Sequence, residues 1–191
     1  FGSENDPNND ANFGDPVALF DRAGNAYWVS LGSPGGIILA KTTNLGATWG
    51  PKLIAEPLTS TNVDKEHAMT DLSGVYPDNI YVAYTDFGIP GNTPISFKRS
   101  SDGGVNWGAR MDLIIPGMFE QGVNIQTGPN GEVYVTWANY NNGNLPESGL
   151  GFAKSTDGGV TFNSPATAFA ISGIRTSNGA QAEFGGTRVA S

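Results

Sequence analysis

Apolar and polar positions alternate with a period of two in three well-separated stretches of the chain, the pattern of half-buried strands. The clearest runs are Ala26-Tyr27-Trp28-Val29-Ser30, Ile80-Tyr81-Val82-Ala83-Tyr84-Thr85 and Val133-Tyr134-Val135-Thr136-Trp137-Ala138. They are rich in aromatic and β-branched residues, which suit a pleated surface. A turn signal precedes each run: Asp21 to Asn25, Tyr76 to Asn79 and Gly128 to Gly131. Before each turn lies another short strand, at 17–20, 67–70 and 123–126. After each run comes an apolar stretch ending at or near a basic residue, at 37–41, 95–99 and 150–154. A weaker fourth strand is expected at 52–55, 111–115 and 167–171. Each unit therefore reads strand, turn, strand, loop, strand, turn, strand.

The second turn of each unit carries the same motif. It is Thr42-Thr43-Asn44-Leu45-Gly46-Ala47-Thr48-Trp49, then Ser100-Ser101-Asp102-Gly103-Gly104-Val105-Asn106-Trp107, then Ser155-Thr156-Asp157-Gly158-Gly159-Val160-Thr161-Phe162. The copies are 58 and 55 residues apart, a span that fits one four-stranded propeller blade with its loops. The side chains of Asn44, Asp102 and Asp157 suit hydrogen bonds from nearby backbone N–H groups. Gly46, Gly104 and Gly159 suit backbone conformations costly for other residues. Trp49, Trp107 and Phe162 are apolar anchors. Three equivalent turns, one per blade, stand too far apart to act on one substrate, so their expected role is structural.

This motif resembles the Asp-box, the bacterial neuraminidase repeat of the sialidase-like β-propeller superfamily. The resemblance covers residues 14–172. The first copy departs by carrying Asn44, and the third by carrying Phe162. The resemblance implies an all-β propeller of four-stranded antiparallel blades. The chain supplies about three, at 14–60, 61–117 and 118–172. Residues 1–13 form a solvated segment, and 173–191 the start of a further, incomplete blade. The full ring is expected to have six or seven blades, completed by remaining blades of the same protein or by a second copy.

Composition narrows the partners. The 191 residues include 27 Gly and 12 Pro, with 38% hydrophobic and only 15% charged, in keeping with many short elements. The net charge is −8, and the ten Lys and Arg are scattered, which argues against a nucleic-acid partner. No apolar run is long enough to span a membrane. The absence of Cys excludes disulfides, thiolate metal sites and cysteine nucleophiles. The low pI, about 4.4, and the family resemblance point to a secreted or cell-surface protein.

Within a blade, strands alternate direction. If the repeated turns face down, the starts of the first strands line the upper face near the axis. Those positions carry Asp15, Asp64, Lys65, Glu66, His67, Glu120 and Gln121. Phe87 and Tyr140, in outer upper loops, are candidate sugar-stacking platforms. Paired carboxylates suit general acid/base work on a glycosidic bond. They equally suit Ca²⁺, which takes oxygen ligands, or simple solvation in loops. His67 has no His or Cys partner for zinc, so packing is the expected role.

The resembled sialidases hold the substrate carboxylate with three arginines and use an Asp acid/base with a Tyr–Glu nucleophile pair. Here Arg22, Arg99 and Arg110 are expected toward the wrong face, while Arg175 and Arg188 lie in the tail. No Tyr–Glu pair is assignable from sequence. The expected function is a non-catalytic propeller module that binds a glycan or protein ligand or is structural. The alternative is a glycoside hydrolase, exo-sialidase-like, whose catalytic residues lie partly outside this chain.

Overall fold

The computed structural model of the chain describes residues 12–32, 36–57, 63–77, 79–89, 93–142, 146–173, 183–184 and 187–188. Twelve strands make three four-stranded antiparallel sheets, each a simple up-and-down meander. The first holds β1 (Asn12–Phe20), β2 (Ala26–Gly32), β3 (Gly36–Thr42) and β4 (Leu53–Pro57). The second holds β5 (Val63–Thr70), β6 (Ile80–Asp86), β7 (Ile95–Ser100) and β8 (Met111–Leu113). The third holds β9 (Phe119–Thr127), β10 (Val133–Tyr140), β11 (Glu147–Ser155) and β12 (Ala166–Ala170). The expected strand–turn–strand order of each unit is present. Each first strand begins four or five residues earlier than its apolar run indicates, because polar residues and Gly interrupt the apolar pattern in its opening stretch.

The sheets stack face to face, with β1 beside β5 and β5 beside β9. Every residue of β6 is buried. Tyr81 and Ala83 belong to the core shared with the third sheet, and Ile80, Val82 and Tyr84 to the core shared with the first. Alternation thus gives β6 two apolar faces, one for each neighbour. In β10 the alternation leaves one face open: Val133, Val135 and Trp137 are buried while Thr136 is exposed. The described sheets stand in a row and do not close into a ring.

The tail places β13 (Glu183–Phe184) against β14 (Thr187–Arg188) as a separate hairpin. Of the segment expected to be a solvated terminus, residues 1–11 lie outside the described residues, and Asn12 and Phe13 open β1.

The three repeated turns sit at equivalent hairpins, β3–β4, β7–β8 and β11–β12. In the second, Ser100 Oγ accepts from Gly104 N–H at 2.8 Å, and Asp102 Oδ1 accepts from Asn106 N–H at 2.8 Å. In the third, Ser155 accepts from Gly159 at 2.8 Å and Asp157 from Thr161 at 2.9 Å. In the first, Thr42 accepts from Gly46 at 3.0 Å and Asn44 from Thr48 at 2.9 Å. Each later turn also packs on the preceding sheet. Trp107 packs against the first core and Phe162 against the second, where Phe162 meets Phe97 edge-on at 4.8 Å.

Candidate functional site at the upper ends of the first strands

The three first strands share a defect in their pairing. In β1 the register runs Gly14↔Leu31 and then Val17↔Val29. In β5 it runs Asp64↔Thr85 and then His67↔Ala83, and in β9 Gln121↔Ala138 and then Asn124↔Thr136. In each strand, two residues face one on the partner, which defines a β-bulge. The first residue of each bulge has positive φ: Asp15 at 49°, Lys65 at 54° and Gly122 at 74°. Gly122 adopts that conformation at little cost, whereas Asp15 and Lys65 are strained there. The candidate residues expected at the start of each first strand therefore sit at or beside a bulge a few residues inside it.

The first two bulges bring their charged side chains together. Lys65 Nζ lies 3.2 Å from Asp15 Oδ2, across the boundary between the first and second sheets. Lys65 N–H donates to Asp64 Oδ1 at 2.9 Å. Burial pushes the Asp64 carboxyl up, and the neighbouring Asp15 carboxylate adds to this while Lys65 opposes it. Glu66 is buried, and neither carboxyl oxygen has a hydrogen-bond partner. Burial pushes it up to about 8; the nearby backbone N–H groups of Glu66 and Leu31 oppose the shift, and the charges of Asp15 and Asp64 reinforce it. Glu66 is therefore a neutral acid at pH 7.

Glu120 does not join this group. Its side chain is wholly buried and accepts from Ile115 N–H at 2.7 Å and Ile95 N–H at 3.4 Å. It clasps the second sheet to the third, and burial pushes it up to about 7. His67 accepts from Ile125 N–H at 3.2 Å through Nδ1, and burial lowers its pKa. The ring thereby joins β5 to β9, and burial favours its neutral form. Phe87 is 40% exposed.

Tyr140 is 5% exposed, so it offers no open stacking face. It borders a cleft of about 310 Å³ at the upper end of the third sheet. Its lining includes the polar Lys65, Gln121 and Glu147 and the apolar Leu150 and Ile171. Tyr140 Oη lies 3.5 Å from Glu147 Oε1. Of the sequence candidates, then, Lys65, Gln121 and Tyr140 share the cleft, with Asp15, Asp64 and Glu66 grouped behind Lys65. Glu147 was missed because it opens β11, and its pairing with Tyr140 across the β10–β11 hairpin depends on a register the pattern does not reveal. Gly122, next to Gln121, is the bulge residue of the third sheet. Its counterparts Asp15 and Lys65 become evident only when the units are aligned on their second strands.

Three arginines, Arg22, Arg99 and Arg110, are engaged elsewhere. Arg22 donates to Leu72 O, and Arg99 to Gly158 O. Arg110 reaches Asp86, at the upper end of β6, at 2.7 Å, and also binds Asp112. Arg110 thus points higher than its place after the repeated turn implies, and two carboxylates hold it. Among the described residues, no group of three or more His, Cys, Asp or Glu is placed to hold a metal ion, and no helix is long and apolar enough to cross a membrane.

No protein-family model matches the chain, and no curated protein matches it. Solved structures do. One is a protein of unknown function from Dyadobacter fermentans, with TM-score 0.60 and 18% identity over 81% of this chain and 50% of that one. A second is an ulvan lyase of polysaccharide lyase family PL25, with TM-score 0.55 and 18% identity over 83% of this chain and 40% of the lyase. A third is an α-L-arabinanase from Penicillium chrysogenum complexed with arabinobiose, with TM-score 0.56 and 11% identity over 82% and 49%. A sialidase from Trypanosoma rangeli matches with TM-score 0.56 and 13% identity over 92% of this chain and 34% of the enzyme. The chain spans half or less of the length of these structures. The likeness is one of fold, shared with carbohydrate-active proteins.

Proposed function

We propose that the chain is a non-catalytic propeller module that binds a glycan at the upper-rim cleft, in a secreted or cell-surface protein. The observation that carries this reading is the cleft beside the first-strand bulges. It combines apolar walls from Leu150 and Ile171 with polar groups from Lys65, Gln121 and Glu147. Its volume of about 310 Å³ lies at the lower end of the range for small-molecule sites, suited to one or two sugar units. The carbohydrate-active neighbours in fold support the ligand class by analogy.

The alternative, a glycoside hydrolase completed by residues outside this chain, has one feature in its favour. Glu66, a buried carboxyl pushed up to about 8, lies near the Asp64 carboxyl, and two neighbouring carboxyls in unlike surroundings suit general acid/base chemistry. Against it, both Glu66 oxygens are sealed from solvent, and Arg22, Arg99 and Arg110 are bound to other groups. On the reading proposed here, the ring is completed by remaining blades of the same protein or by a second copy.

Affinity electrophoresis through gels loaded with neutral and acidic polysaccharides tests the binding, and a panel of fluorogenic glycosides, sialoside included, tests for turnover. Retardation by a polysaccharide with no turnover is the expected result. Free migration through every gel overturns the binding, and clear hydrolysis overturns the non-catalytic assignment.

A further inference from the structure

Lys65 is the cation that lines the cleft among its described residues, and its charge is already answered. Its ammonium is 3.2 Å from Asp15, while its own backbone N–H bonds the Asp64 carboxylate at 2.9 Å. Glu147 adds a carboxylate to the lining of the cleft. Recognition of a sugar carboxylate calls for unquenched cations, best a forked guanidinium. Arg22, Arg99 and Arg110 are bound elsewhere.

The quenching pair is built into the backbone. Asp15 and Lys65 occupy equivalent bulge positions in successive sheets and keep positive φ without being glycine, whereas the third sheet uses Gly122. Strain retained at two positions whose side chains meet points to a role for the pair beyond folding. An exposed ion pair of this kind contributes little to stability.

We propose that the Asp15–Lys65 pair makes the cleft selective for uncharged sugar units over uronic or other acidic ones, Asp15 being the specificity-determining residue. The inference rests on the glycan-binding reading of the same cleft. With Asp15 in place, Lys65 acts as a hydrogen-bond donor to sugar hydroxyls, and the surrounding carboxylates repel an anionic sugar. With Asp15 neutralised, the same ammonium becomes an anion-binding group.

Isothermal titration of the full chain with oligogalactosides and oligogalacturonides of matched length tests this. The unsubstituted protein is expected to prefer the neutral ligand at least tenfold. Asp15→Asn is the informative variant, because Asn tolerates positive φ and the fold should survive. It is expected to raise affinity for the acidic ligand at least fivefold, and to leave the neutral ligand within twofold. Adding Lys65→Gln to Asp15→Asn should abolish that gain. Equal affinity of the unsubstituted protein for the two ligands overturns the inference, as does an Asp15→Asn variant with an unchanged preference. Binding of neither ligand overturns the glycan reading itself, and selectivity with it; binding of both without preference overturns selectivity alone.

Discussion

At the residue scale, Glu66 is the least expected side chain in the molecule. It is the second residue of its bulge, the position that Val123 takes in the third sheet. Val123 belongs to the apolar core, whereas Glu66 places a carboxyl in an equivalent buried setting. Its folded pKa of about 8 exceeds the ordinary 4.5, so the folded state holds the proton more tightly than the unfolded chain. The resulting stabilisation is complete below about pH 4.5 and is lost as pH rises toward 8. Glu120, at about 7, contributes in the same direction over a window that closes near pH 7. Thermal melts from pH 5 to pH 9 should show stability falling as pH rises. Glu66→Val should remove the part of that fall between pH 7 and 8 and stabilise the protein by about 1–3 kcal/mol at pH 8.5. An unchanged slope in that window contradicts the assignment of Glu66 as a buried neutral acid.

At the scale of elements, the repeated turns act as fasteners between sheets, and the first differs from the other two for a positional reason. Gly46, Gly104 and Gly159 all have positive φ. A Cβ at Gly159 would meet Phe97 Cζ at 3.0 Å and Tyr81 Cε1 at 3.1 Å, and one at Gly104 would meet Leu39 Cδ2 at 3.1 Å. At Gly46 nothing lies within 4 Å, because no described sheet precedes the first. Gly159→Ala should therefore cost about 1–3 kcal/mol more than Gly46→Ala, the strain being common to both and the overpacking confined to Gly159. Urea denaturation of the two variants measures the difference. Equal losses contradict the fastening role.

The strand runs around Tyr27, Tyr81 and Tyr134 and the turn motif were legible in the sequence, since alternation and turn chemistry are local properties. The bulges were not. A bulge is a mismatch between two strands, and Asp15, Lys65 and Gly122 share no residue type that marks it. Nor was it legible that Glu120 turns inward to Ile95 and Ile115 while Asp15 and Lys65 meet across sheets. Those outcomes depend on register, and a shift of one residue moves a side chain to the other face.

For the whole molecule, the open face of the third sheet repeats a face that is covered in the second. Tyr134 pairs across strands with Lys154 as Tyr81 does with Arg99. Tyr134 and Phe152 approach to 6.3 Å, as Tyr81 and Phe97 do to 5.9 Å. The Tyr81–Phe97 pair lies beneath the turn that carries Phe162. On the proposed ring, a further sheet covers the Tyr134–Phe152 pair. If a second copy supplies it, sedimentation should show mass rising with concentration, and Phe152→Asp should suppress the rise. Concentration-independent monomer mass contradicts closure by a second copy and leaves further blades of the same protein as the occupant.

On the proposed reading, the two ends of the sheets do different work: turns join sheets below, and the bulges border the proposed ligand site above. Backbone amide shifts during titration with a neutral oligosaccharide test that division most directly. The account predicts saturable shifts at Lys65, Gln121, Gly122, Tyr140 and Gly173, with Gly46, Gly104 and Gly159 unmoved. Shifts centred on the three repeated turns, with the upper rim silent, would contradict it.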